Sequence, residues 1–141
     1  MENNIQRLKV FEGIWQTKGT GRQEPVITVE GTDTYKWFPG GHFMEHWVDV
    51  KMGKEHMQAL EMISYDPEKK QFFLQYWNNT GSMSAMHGTV EGNSWTFFSE
   101  TERGTFTFSA DGRQITGTWE QSEDGGKTWK PWMDMVLTKT A

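Results

Sequence analysis

The spacing of apolar and polar positions changes once along this 141-residue chain. Near the start, Ile5, Leu8 and Phe11 recur at three-residue intervals, with Asn3 or Asn4 available as a cap, which predicts one short helix on the pattern of its apolar face. Gly13 is placed to end it. From Ile14 onwards, runs rich in Thr, Val, Phe, Trp and Tyr are broken at hairpin spacing by turn signals such as Pro39-Gly40-Gly41, Gly53-Lys54, Asp66-Pro67, Asn78 to Gly81, Gly92-Asn93, Asp111-Gly112 and Ser122 to Lys127. The runs predict ten strands, at 14–20, 26–38, 42–51, 56–65, 70–77, 83–90, 94–100, 103–109, 113–121 and 128–139. A meander of that length leaves two long edges unless it closes on itself. The expected fold is therefore all-β: a closed antiparallel up-and-down barrel of about ten strands, with the short N-terminal helix capping one end. It is expected to form a single domain over residues 1–141.

Turn lengths suggest a register. Gly53-Lys54 sets Glu45 opposite Met62 and Trp47 opposite Leu60. The next two turns set Met62 near Leu74, Leu60 near Tyr76, Leu74 near Ala85 and Tyr76 near Met83. Continuing, His87 faces Phe97, Phe97 faces Phe106, Trp95 faces Phe108, and Phe108 faces Ile115. With a side-chain period of two, these residues share one face, read as the barrel interior. The opposite face collects His46, Glu61, Gln75, Ser84, Thr96, Thr105, Thr107, Thr116 and Thr118, read as the solvent side. Ile63, Phe73, Trp77 and Phe98 fit this register poorly, because it turns them outward.

Composition narrows the function. No cysteine is present, which excludes disulfides and thiolate metal sites and suits a reducing compartment. The chain shows no apolar run that reads as a signal peptide or membrane span, so a cytoplasmic location is expected. A net charge of −5 without a basic block disfavours nucleic acid as a partner. Eight Trp, nine Phe and nine Met are bulky filler for a barrel or the wall of a small-molecule cavity.

Among the histidines, His42 and His46 lie roughly 13 Å apart along one strand and cannot share a metal, and no metal site is expected. His87, read as inward among aromatics, is a hydrogen-bonded core residue, a ligand contact, an axial haem ligand or a general base. Glu45 on the inner face sits at a wet mouth, contacts a polar ligand group, or marks a slip in the register. Ser122 to Lys127 lacks calcium-ligand spacing and reads as an acidic hairpin loop. No nucleophile elbow, phosphate-cradling loop or dinucleotide fingerprint occurs.

Gly13-Ile14-Trp15, directly after a short helix, resembles the opening of lipocalins, in which the Trp plugs one barrel end and a cationic side chain lies across it. Lys139 is placed to supply that cation. Trp37-Phe38-Pro39-Gly40-Gly41-His42-Phe43, Tyr65-Asp66-Pro67 and Asp124-Gly125-Gly126-Lys127-Thr128-Trp129 follow in order. Together they resemble a bacterial calycin family, the domain of unknown function 1579. That resemblance implies a lipocalin-like barrel and carries over no catalytic residue. The nitrobindins, also calycin-like, hold haem through one histidine, which makes haem on His87 an alternative to an absence of cofactor.

These readings favour a barrel that binds a small hydrophobic or amphipathic molecule, as carrier or sensor, over an enzyme. The expected lining is Glu45, Trp47, Leu60, Met62, Leu74, Tyr76, Met83, His87, Trp95 and Phe97, with Glu45 and His87 as polar handles. Small positions at Ser64, Ala85, Ser99 and Gly117 are expected to leave room. Two alternatives stand beside it: an isomerase, cyclase or haem-dependent enzyme using the same cavity, and a packed barrel acting through protein contacts.

Overall fold

The computed structural model describes residues 4–141. Ten strands form one closed antiparallel barrel in which every strand pairs with its sequence neighbours and the last returns to the first. They are β1 (Gly13–Gly21), β2 (Thr28–Trp37), β3 (Met44–Met52), β4 (Glu55–Asp66), β5 (Gln71–Asn78), β6 (Met83–Glu91), β7 (Ser94–Phe98), β8 (Glu102–Phe108), β9 (Gln114–Gln121) and β10 (Lys130–Lys139). The expected barrel is borne out, and each strand falls within two residues of its predicted ends. Pairing of β1 with β10, from Trp15 opposite Lys139 to Gly21 opposite Met133, leaves no free sheet edge.

The N-terminal helix, Asn4–Phe11, is a 3₁₀ helix. Its apolar residues explain the choice, since Ile5, Leu8 and Phe11 repeat every three residues and a 3₁₀ helix aligns positions three apart. All three are buried. Phe11 touches Tyr35, Trp95 and Phe108 at ring separations of 4.9 to 5.0 Å. The proposed cap at Asn3 lies outside the described residues. Beneath the helix, Trp15 is fully buried and donates its indole N–H to the Phe11 carbonyl at 2.7 Å. The Lys139 ammonium lies 5.8 Å from its ring, as the lipocalin resemblance implied. Gly13 adopts φ 132°, and a side chain there would run into the Ala141 carbonyl 2.5 Å away, so the helix-to-strand junction needs glycine.

Register needs correction in the middle of the chain. Glu45 does face Met62 and Trp47 does face Leu60. Across the next hairpin, however, Ile63 rather than Met62 faces Leu74. Then Met86 rather than Ala85 faces Leu74, and Phe98 rather than Phe97 faces His87. Each is a slip of one residue, and each reverses which face looks inward. The cause lies in the turns. Asp66 accepts the backbone N–H groups of Glu68 and Lys69, and Lys70 takes a left-handed conformation, so that loop is one residue longer than expected. Asn78 organises the next loop by accepting from Thr80 and Ser82. Trp95 faces Phe106, a slip of two that leaves parity intact. Phe97, Phe106 and Phe108 therefore point inward and Thr96, Thr105 and Thr107 outward, as expected, and Phe108 faces Ile115.

Two packed zones fill the barrel. One gathers Leu8, Phe11, Trp15, Met44, Ile63, Phe72, Leu74, Trp95, Phe106, Ile115 and Leu137 under the helix. A smaller one at the far end joins Val29, Val50 and Met133. Trp119 and Met135 touch both.

Candidate site in the barrel lumen

The corrected register turns His46 and Glu61, expected on the solvent side, into the barrel. They are direct cross-strand partners, with Tyr35 beside His46 and Tyr76 beside Glu61. Ser84, also expected outside, faces inward opposite Tyr76. The row Tyr35, His46, Glu61, Tyr76, Ser84 thus crosses the lumen wall on five consecutive strands.

His46 uses both ring nitrogens. Nε2 lies 2.6 Å from Oδ2 of Asp33 and Nδ1 lies 2.9 Å from Oε1 of Glu61. Two carboxylate partners demand two N–H donors, which only the imidazolium provides. Thr17 donates its hydroxyl to the other Asp33 oxygen at 2.5 Å. The Tyr35 ring stacks on the imidazole, 4.0 Å away and 8° from parallel. Desolvation opposes charge on His46, but the hydrogen bonds to Asp33 and Glu61 and their charges outweigh it, and the imidazole is raised to about 9. Burial, followed by the charges of Asp33 and Glu61, pushes the Tyr35 phenol well up.

Sidedness of the lumen follows from exposure. Inward side chains of a closed barrel meet water only through its interior. Those under the helix are sealed, with Met44 at 0% and Ile63 at 2% exposed. Tyr76, Met86, Phe97, Trp119 and Met135, which also point inward, are only half-buried, and Ser84 is exposed. His46 and Glu61 side chains keep 12% and 14% of their surface. The lumen is therefore plugged at the helix end and packed again around Val29, Val50 and Met133 at the other, while the inward residues that keep exposed surface lie on β5, β6, β7, β9 and β10.

Of the ten residues expected to line a cavity, Leu74, Tyr76, Trp95 and Phe97 point inward. Glu45, Trp47, Leu60, Met62, Met83 and His87 point outward, because of the register slips. Glu45 accepts the indole N–H of Trp47 on the outer surface at 3.0 Å. His87 packs outside between Phe73 and Phe98, so it supplies no ligand to a haem held in the lumen. His46 has no nitrogen free for a metal either. Of the small positions, only Gly117 faces the interior within a strand, and Phe106 fills its space, since a β-carbon there would meet the ring at 2.3 Å. The outer face carries its own apolar row. Trp47, Leu60, Trp77 and Met83 pair in sequence across four strands, with Trp47 45%, Trp77 39% and Met83 75% exposed. Part of that row lines an open groove of about 560 Å³.

The Ser122 to Lys127 loop holds itself together. Asp124 accepts from the Thr128 hydroxyl, the Thr128 and Lys127 N–H groups and the Ser122 hydroxyl. Those bonds, led by the Thr128 hydroxyl, lower its carboxyl to about 2, consistent with an acidic hairpin loop.

A closed ten-stranded meander with a plugging helix, a buried Trp in its first strand and a cation over that Trp is a lipocalin-like barrel. The chain belongs to the DUF1579 family, described as a protein of unknown function, whose model matches residues 2–125. No curated protein matches it in sequence. Among solved structures, it is similar to Rv2717c from M. tuberculosis, at 11% identity and a TM-score of 0.70, covering 100% of this chain and 99% of that one. It is also similar to the S-type phycobiliprotein lyase CPES from Guillardia theta, at 7% identity and a TM-score of 0.70, covering 99% and 94%. At such identities the likeness is one of fold. Among the described residues no helix is long and apolar enough to cross a membrane.

Proposed function

We propose that the barrel binds a small amphipathic molecule in its lumen, as a carrier or sensor. The observation that carries this reading is the asymmetry of the interior. Inward aromatic and methionine side chains retain exposed surface in one half of the barrel, and a charged group lies at the base of that space. Aromatic and methionine walls with a few convergent polar groups suit a small organic ligand. The His46 group holds charge more readily than it moves protons, because each N–H already has a carboxylate partner and either bond must break before a proton passes to a bound molecule. That arrangement favours binding over acid–base catalysis.

A neutral apolar fluorophore, N-phenyl-1-naphthylamine, tests the reading. It should bind with enhanced emission and draw energy from the lumen tryptophans. Met86→Trp should weaken it about tenfold or more, because the new ring occupies lumen space beside a flexible, half-exposed side chain. Leu74 is a poorer choice, being buried at 3% exposure, where extra volume would strain the packed zone. A fluorophore that fails to bind, or binds equally to folded Met86→Trp, contradicts lumen binding. The exposed row from Trp47 to Met83 supports a second reading, in which the barrel's outer face meets a protein partner.

A further inference from the structure

We infer that the lumen selects ligands by a cationic head group that donates hydrogen bonds, such as a primary ammonium, seated against Glu61 and Tyr35. The inference rests on the lumen-binding reading and deepens it by naming the ligand's chemistry.

Hydrogen-bond capacity and charge point the same way. Both donors of His46 are taken, by Asp33 and Glu61, and Thr17 spends its hydroxyl proton on Asp33. The Tyr76 hydroxyl is committed to Met57 as a donor and to Asn78 as an acceptor. Among the described residues, only one oxygen of Glu61 is engaged, which leaves Oε2 as an acceptor beside the wet part of the lumen. Tyr35 is 9% exposed, its ring packed between Phe11 of the helix and His46, and its hydroxyl has no protein partner among the described residues. What remains to greet a ligand is a carboxylate oxygen and a phenol, with no cationic donor left over. The charges agree, since two carboxylates surround one imidazolium and the group carries one excess negative charge. A ligand carboxylate would face that charge with only neutral hydroxyl donors, those of Tyr35 and Ser84, to accept from. A primary ammonium would supply the missing donors and cancel the excess, while its chain lay along Met86, Phe97 and Trp119. Charge-assisted hydrogen bonds are the stronger kind, and a low-dielectric wall strengthens them further.

Displacement of N-phenyl-1-naphthylamine by ligands of equal tail length tests the inference. Decylammonium should displace the fluorophore about tenfold or more tightly than decanoate. It should also outcompete decyltrimethylammonium, which has the charge but no N–H, so general attraction to an acidic protein is separated from recognition. Glu61→Gln should narrow the gap between decylammonium and decanoate. Equal competition by decanoate, or by decyltrimethylammonium, overturns the inference while leaving lumen binding intact. Failure of the fluorophore itself to bind overturns the underlying reading instead. Should Glu61→Gln not fold, the three-ligand comparison on the unaltered protein still decides the matter.

Discussion

His46 is the residue on which the interior turns. Replacing it with Ala leaves Asp33 and Glu61 facing each other inside the barrel without a cation between them. Breaking a buried ion pair from one side costs about 3–5 kcal/mol, and urea unfolding of His46→Ala should show a loss of that size. The same group makes stability depend on pH. Folding raises the imidazole from its ordinary value of 6.5 to about 9. The folded state therefore binds the proton more tightly, and its stabilisation is full below about pH 6.5. It is lost as pH climbs through about 9, amounting to about 3 kcal/mol across that window. Urea midpoints measured from pH 6 to 10 should fall in the wild-type protein and flatten in His46→Gln; parallel curves would remove His46 as the cause. The sequence held a signal for this site. In the Met44–Met52 and Glu55–Asp66 hairpin, one parity collects Met44, Val48, Val50, Met57, Ala59 and Ile63 around His46 and Glu61. The other collects Trp47, Leu60 and Met62 with Glu45, Asp49 and Gln58. Aromatic weight at Trp47 favoured the second set, whereas the count of apolar positions, and the poor fit of Ile63 outside, favoured the first.

At the scale of elements, the legible features were those written in local sequence. Strand limits followed turn residues, and the helix followed its three-residue repeat. The turns at Gly53-Lys54 and Asp111-Gly112 fixed their hairpins correctly, whereas the two-residue turn at Gly92-Asn93 did not, since Phe98 rather than Phe97 faces His87. The loops after Asp66 and Asn78 failed as well, because whether Lys70 enters a left-handed conformation, or Asn78 gathers three donors, decides a one-residue difference that no apolar pattern records. The plug was legible for the opposite reason: Gly13, Trp15 and Lys139 each occupy a position that the end of a barrel requires. Trp15→Ala should destabilise the protein by about 3–5 kcal/mol, since a fully buried ring and its hydrogen bond to Phe11 disappear together. Thermal unfolding checks this directly. An unchanged midpoint would mean that the helix end of the barrel is not held by this residue.

The whole molecule presents two apolar surfaces, one inside the barrel and one outside. Its lumen offers Met57, Met86, Phe97, Trp119 and Met135 above the His46 group. Its outer wall offers Trp47, Leu60, Trp77 and Met83 on an open sheet face. Closure of the barrel keeps the two surfaces apart, so under the proposed function a ligand would meet one or the other. Nine methionines are spread over the chain, and five of them report on this choice. Met57, Met86 and Met135 face the lumen, while Met62 and Met83 face outward. Methyl NMR of methionine-labelled protein, titrated with N-phenyl-1-naphthylamine, reads both sets at once. Lumen binding predicts that the Met57, Met86 and Met135 methyls shift and saturate together while those of Met62 and Met83 stay in place. Movement of Met62 and Met83 with the lumen methyls unchanged would contradict it.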